Sequence, residues 1–498
     1  MGYIMTFDQG TTSSRCILFH PNGQIASMSS REFPQIYPKE GWVEHDPMTI
    51  WSSQISSATE ALMKIGGEWP DVLTIGITNQ RETTLVWDRR TGAPVYNAIV
   101  WQCRRTAAYC EQLRAEGHEE MIRQRTGLLL DPYFSASKVR WILENVEGAR
   151  EKADRGELCF GTVDTWLMYQ LSDGKIFATD YTNASRTMLF NIHTLAWDDE
   201  LLALFDIPRS MLPEVCPSSH LFGYSNERIL GARIPICGVA GDQQSALFGQ
   251  GCFRPGMVKN TYGTGGFLLM NTGETPYTTG TGLLTTVAWG VGGRVSYALE
   301  GSVFVCGAAI GWLRDGLKLI DSAQDSEYMA SKVPDSGGVY MVPAFTGLGA
   351  PWWDPYARGT LIGLTRATNK YHIIRATLES MAYQTVDVVE LMHRTCGISI
   401  PSLRVDGGAC QNNLLLSFQA DVLGLPIERP ASVETTALGA AYLAGLEAGI
   451  YQSTEEIEQY RTDMQVFTPT MDEQTRSEKL KMWRRAVERS LGWKDPHA

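Results

Sequence analysis

Three short segments carry the residue types that bind and transfer phosphate. Asp8-Gln9-Gly10-Thr11-Thr12-Ser13-Ser14-Arg15 packs one glycine, four small hydroxyls and an arginine into eight residues. Glycine lets backbone N–H groups approach an anion, the hydroxyls add donors, and Arg15 adds a fixed cationic fork. Thr12, Ser13, Ser14 and Arg15 are therefore candidate phosphate contacts. Asp8 would repel a phosphate unless a divalent cation stood between them, most simply Mg²⁺ retaining several waters. Taken alone, the stretch also reads as an ordinary polar hairpin turn. Tyr262-Gly263-Thr264-Gly265-Gly266 is a second turn of this character. Asp406-Gly407-Gly408-Ala409-Cys410-Gln411-Asn412 is a third, where bare glycines admit a base or ribose or simply cap a helix. None ends in the Gly-Lys-Ser/Thr of a P-loop.

Phosphoryl transfer to a hydroxyl needs a base. Gly241-Asp242-Gln243-Gln244 follows the apolar segment Ile234 to Ala240, so a carboxylate at a strand end could accept the proton of an attacking hydroxyl. The competing reading of Asp242 is a helix N-cap, and the two roles are compatible. Arg81-Glu82 delivers a donor and an acceptor together, a pair suited to the adjacent hydroxyls of a small polyol. Trp101 and Phe267 could wall such a pocket, and Tyr133 could add a hydroxyl. Without context, Arg81-Glu82 reads as a surface ion pair and the rings as core.

These segments need strands that end together. Tyr3 to Phe7, Cys16 to His20 and Gln24 to Ser27, with Pro21-Asn22-Gly23 as a tight turn, predict an opening β-meander. Asp46-Pro47 then caps a predicted helix with Trp51, Ile55, Ala58, Leu62 and Ile65 at helical spacing, ended by Gly66-Gly67. Val72 to Thr78 predicts a buried strand, and Thr83 to Trp87 and Tyr96 to Trp101 two more. Near residue 250 the pattern restarts. Met257 to Thr261, a glycine turn and Phe267 to Asn271 echo the N-terminus, which suggests two similar halves, 1–249 and 250–498. Lys370 to His393 predicts a long helix and Leu403 to Val405 a strand. Helices then start at Asn412 and Thr435, with the Ala/Gly-rich stretch Ala437 to Ala448 permitting close packing.

Composition narrows the function. The 498 residues are 44% hydrophobic, enough for two to four packed domains rather than disorder. Lys and Arg number 43 against 55 Asp and Glu, a net charge of −12 that argues against a nucleic-acid partner. Ten cysteines without a CxxC pair indicate neither a zinc site nor a disulfide framework and fit a reducing, cytoplasmic setting. The longest apolar run, Val303 to Leu313, is far short of the roughly 20 residues that span a bilayer. It reads as buried core, so no membrane insertion is expected.

Along essentially its whole length the chain resembles the FGGY carbohydrate kinase family. Asp8 to Arg15, Gln80-Arg81-Glu82-Thr83, Trp101-Gln102-Cys103-Arg104 and Gly241-Asp242-Gln243-Gln244 carry the likeness. Tyr133-Phe134-Ser135 with Lys138, Trp141 and Glu144-Asn145 fits one family signature, and Gly359 to Gly363 with His372, Ala376 and Glu379 fits a second. The resemblance implies an α/β fold of two actin-like (ribonuclease H-like) domains flanking a central cleft. It implies ATP-dependent phosphorylation of glycerol to sn-glycerol 3-phosphate with Asp242 as general base, as in the family's glycerol-specific members. Kinases of pentuloses, and more distantly actin-like ATPases, are the rival readings.

Carried over position by position, Thr12, Ser13, Ser14 and Arg15 would meet ATP phosphates. Thr264, Gly307, Gly408 and Asn412 would hold the nucleotide. Asp8 and Asp242 would lie near Mg²⁺. Arg81, Glu82, Trp101, Tyr133, Asp242, Gln243 and Phe267 would form the glycerol pocket. Gly311 stands where bacterial relatives have a glutamine near the nucleotide. Ser225 to Arg233 lacks the early glycines of relatives that bind fructose 1,6-bisphosphate, and Glu227 has the wrong charge for a phosphate, so no such inhibition is expected. Homodimers or homotetramers are the family's usual assemblies.

Overall fold

The computed structural model describes residues 2–278, 280, 282–461 and 463–494. Two mixed sheets carry the candidate phosphate turns. The first runs in the order Ser219–Tyr224, Pro235–Gly241, Val72–Asn79, Tyr3–Gln9, Ser13–Phe19, Ile25–Glu32. The second runs Leu284–Val291, Arg294–Val303, Gly266–Gly273, Val258–Tyr262, Leu403–Asp406, Ile427–Pro430, Met464–Phe467. Three antiparallel strands in the first sheet and four in the second are followed by one that pairs in parallel with the first strand of the set and by a further one that pairs in parallel with it in turn. The echo read near residue 250 is thus a repeat of topology, in which the two phosphate turns occupy the same first hairpin.

Local sequence explains the elements that matter. Asp46 accepts hydrogen bonds from Met48 N and Thr49 N, and Pro47 opens the helix Pro47–Lys64, as the Asp-Pro pair predicts. Its buried stripe differs from the expected one. Ile50, Gln54, Ser57, Ala58, Ala61 and Leu62 are buried, while Trp51 and Ile55 are only half-buried. The polar members have a reason to be inside: Gln54 Nε2 donates to Arg15 O at 2.8 Å and Ser57 Oγ to Ser14 O at 3.1 Å, tying the helix to the phosphate hairpin. The long helix Lys370–Cys396 stops at Gly397, which takes the left-handed conformation at φ 71°.

Two expectations needed correction. The strands read at Thr83 to Trp87 and Tyr96 to Trp101 shrink to Leu85–Asp88 and Ala98–Ile99. They pair mainly with Leu158–Gly161 and Glu44–His45 instead of extending the sheet. Val303 to Leu313 is a strand end followed by the helix Gly307–Asp315, and Phe304 within it is 43% exposed. Periodicity cannot tell a wholly buried run from one that turns a corner at a cleft.

The halves meet through two helices. Asp242–Gly249 lies against Thr435–Glu447, and the latter, from the second half of the chain, rests on the first sheet. The approach is close: a Cβ on Gly249 would sit 2.0 Å from Thr435 O and one on Gly439 1.8 Å from Ser245 O. Ile4, Ile17, Phe19, Leu247, Phe248, Leu269, Trp289, Ala437, Ala441 and Leu443 form one apolar cluster drawn from both halves. Among the described residues, no helix is long and apolar enough to cross a membrane.

Candidate active site

The first phosphate turn joins Tyr3–Gln9 to Ser13–Phe19 and is closed by Gly10 N donating to Ser13 O at 2.9 Å. Thr12 stands in the turn ahead of the strand, and within the strand alternation sends Ser13 and Ser14 to opposite faces. Thr12 is exposed and Ser13 half-buried, whereas Ser14 is fully buried, bonded to Gln9 Oε1 and Ser53 Oγ at 2.7 Å each. The Ser14 hydroxyl is therefore spent on the helix behind the turn and is not offered to a ligand. Arg15 lies between two acids: it pairs with Asp8 of its own hairpin and, at 2.6 Å, with Glu434 from the second half. The Asp8 charge, supported by Glu434, raises the Arg15 pKa against the effect of its burial.

Arg81 and Glu82 follow the strand Val72–Asn79, both almost completely buried, so the surface-pair reading fails. Glu82 holds φ at 59°, left-handed backbone that costs a non-glycine residue on the order of 1 kcal/mol and aims its side chain inward. Arg81 gives its two terminal nitrogens to Glu300 at 2.6 and 2.9 Å, and Gln244 Oε1 takes a further bond at 3.2 Å. Its fork is thus committed to protein, and its Nε edge faces Asp242 Oδ1 at 3.3 Å. Arg186 donates to Glu82 Oε1 at 2.6 Å and to both oxygens of Glu300. Burial alone would raise the Glu300 pKa, but Arg186 and Arg81 pull it down to about 2.

Asp242 is the first residue of its helix, with Gly241 as the cap position, and it accepts Gln243 N at 2.7 Å. Its side chain is 32% exposed where Arg81 is 2%, so it is the charged group of this cluster that solvent reaches. Surrounding protein pushes its pKa up to about 6, with Arg81 opposing, and the carboxylate form prevails at neutral pH. Lys259, fully buried on the second sheet, donates to Gln243 Oε1 at 2.5 Å and Thr261 Oγ1 at 2.8 Å. Trp101 and Tyr133 pack edge to face at 5.5 Å, and Trp101 Nε1 donates to Thr11 Oγ1 at 3.0 Å, joining this pocket to the phosphate turn. Phe267 is half-buried, beside Thr261 in the ladder.

The second turn exposes Gly263 and Thr264 and abuts the helix starting at Gly307, whose Cβ, if present, would meet Gly263 O at 2.6 Å. In the third turn Gly407 adopts φ 86° against Tyr262 O, where only glycine fits. Gly408 and Gly311 instead look into open space. Asn412 caps its helix through Leu415 N at 2.9 Å and donates to Ser326 Oγ at 3.4 Å. Asp406 is buried and bonded to Gln250 and Thr435. The arrangement presents one partly exposed carboxylate joined through Arg81 to a buried charge network. Sequence reasoning passed over Arg186, Lys259, Glu300 and Glu434. Their one signal was a charge inside an apolar strand, as at Lys259 and Glu300.

Similarity to known proteins is extensive. The profile of the FGGY family of carbohydrate kinases, N-terminal domain, matches residues 3–249, and that of the C-terminal domain matches residues 258–448. The chain is 60% identical over 493 residues to glycerol kinase 2 of Thermotoga maritima, covering 99% of each. It is 61% identical to the glycerol kinase of Carboxydothermus hydrogenoformans over 99% of this chain and 98% of that one. The crystal structure of Plasmodium falciparum glycerol kinase with ADP superposes with a TM-score of 0.93 at 38% identity, over 99% of this chain and 98% of that one.

Proposed function

The chain belongs to the FGGY family of carbohydrate kinases, and from that premise we propose that it moves the γ-phosphoryl group of ATP onto a terminal hydroxyl of glycerol. The products are sn-glycerol 3-phosphate and ADP. Asp242 takes the proton of the attacking hydroxyl. The observation that carries this reading is the Asp242 carboxylate, a third exposed and 3.3 Å from the Nε of the buried Arg81. A general base needs that accessibility and an ionised state at working pH. Gln243, with its amide oxygen held by Lys259, and Phe267 complete the polyol pocket. Arg81 acts through its Nε edge, since its terminal nitrogens hold Glu300.

Thr12, Ser13 and Arg15 face the ATP phosphates from the first half, and Thr264, Gly307, Gly311, Gly408 and Asn412 hold the nucleotide from the second. Residues 1–249 thus form the polyol half and 250–498 the nucleotide half. Asp8 and Asp242 fit Mg²⁺ held mainly by phosphates and water, because no group of three or more potential ligand side chains exists among the described residues. The ion would supply charge neutralisation on the transferring group. Asp242 holds the hydroxyl proton, while the aromatic wall limits water at the reacting oxygen. The ten free cysteines fit the cytoplasm, and a homodimer or homotetramer is the proposed assembly.

A coupled assay of ADP release tests substrate choice. Glycerol should be turned over with kcat/KM at least about 100-fold above xylulose. Preference for xylulose, or ADP release without any polyol, would transfer the chain to the rival activities.

A further inference from the structure

Behind the first phosphate turn lies a histidine with no part in the chemistry above. His45 ends the short strand Glu44–His45 and is fully buried. Its Nε2 lies 2.7 Å from Gln35 Oε1, its Nδ1 3.4 Å from Gln80 Nε2, and its ring meets Phe33 edge to face at 5.0 Å. Each of these three neighbours holds one carbonyl of the turn. Gln80 Nε2 donates to Gly10 O at 3.1 Å, Gln35 Nε2 to Thr11 O at 3.0 Å, and Phe33 N to Thr12 O at 3.2 Å.

Proton bookkeeping fixes the ring. Thr83 Oγ1 donates to Gln80 Oε1 at 2.9 Å, which leaves the Gln80 amide nitrogen facing His45. Nδ1 must then be a bare acceptor, and Nε2 must carry the proton it gives to Gln35 Oε1. Burial supports the neutral state by lowering the His45 pKa to about 4.

In a trans peptide the C=O and the following N–H point in opposite directions. Drawing the carbonyls of Gly10 and Thr11 back into the protein therefore aims the N–H groups of Thr11 and Thr12 outward. Neither N–H donates to a partner among the described residues. The second half does the same with different parts: Gly307 N and Ala308 N hold Gly263 O and Thr264 O at 3.0 and 3.1 Å.

We propose that His45 is a positioning residue that clamps Gln35 and Gln80 so that the first turn presents the Thr11 and Thr12 N–H groups to the nucleotide phosphates. This rests on the reading that the turn binds those phosphates. Nitrogen-15 NMR of the free enzyme should show His45 with Nδ1 bare and Nε2 protonated between about pH 6 and 8. A protonated Nδ1 would overturn the clamp.

His45→Leu and Gln35→Leu should each raise KM for ATP about tenfold while glycerol KM stays within about twofold. If His45→Leu does not fold, Gln35→Leu, at a half-buried site, decides. Thr12→Ala and Ser13→Ala separate the two levels. A rise in ATP KM for these alone leaves phosphate binding intact and sinks the clamp. No change in any of the four sinks the phosphate reading and the clamp with it.

Discussion

At the scale of single residues, burial decides which of many charged groups can do chemistry. Asp242, Glu82 and Glu300 lie within one network, yet Glu300 is enclosed by two arginines and Glu82 is bound by Arg186, while Asp242 keeps a third of its side chain open. Asp242→Asn should therefore fold and bind glycerol with KM changed less than about threefold, while kcat falls by roughly 10²–10⁴. Steady-state kinetics beside a thermal melt check this, and near-normal turnover would remove Asp242 from the mechanism. The position was legible because an acid at the end of an apolar run is a local pattern. Arg81 was legible as a type but not in its role, because its main partner stands 219 positions away.

At the scale of elements, two helices set where Asp242 stands. Its helix begins at residue 242 and is pressed onto Thr435–Glu447 through Gly249 and Gly439. Gly439→Ala sets two effects against each other. Alanine favours the helix by about 1 kcal/mol. Its methyl would lie 1.8 Å from a backbone oxygen that cannot rotate away. Overpacking of that kind costs roughly 1–3 kcal/mol, so the overlap wins and the net effect is destabilising. A lower Tm with reduced kcat is expected, and a raised Tm would show that the helices can separate freely. The Ala/Gly run in the sequence announced close packing, but not that the run would cover the other half's sheet.

At the scale of the whole molecule, ion pairs join the halves, those of Glu300 fully buried. Glu300 of the second sheet accepts from Arg81 and Arg186 of the first half, and Glu434 meets Arg15. Glu300→Gln leaves two buried guanidiniums poorly compensated, a loss of about 3–5 kcal/mol. The pH dependence follows from the sign of the shift. The Glu300 pKa in the folded protein, about 2, lies below its ordinary 4.5, so its stabilisation is complete above pH 4.5 and is lost as pH falls toward 2. The Tm gap between wild type and Glu300→Gln should stay constant from neutral pH down to about 5 and narrow below it. A gap that widened on acidification would rule out the ionised tie.

The sequence by itself determined most strands of the two large sheets, the three glycine turns and the repeat. These depend on neighbours within a few residues, where φ, side-chain alternation and capping operate. Only the tertiary structure decided that Arg81 is anchored by Glu300, that Ser14 faces a helix and that Lys259 orients Gln243. It also placed His45 behind Gln35 and Gln80, which hold the carbonyls of the first glycine turn. A buried charge or hydrogen bond takes its meaning from the partner that replaces water, and those partners are brought together only when the two sheets close on their shared helices.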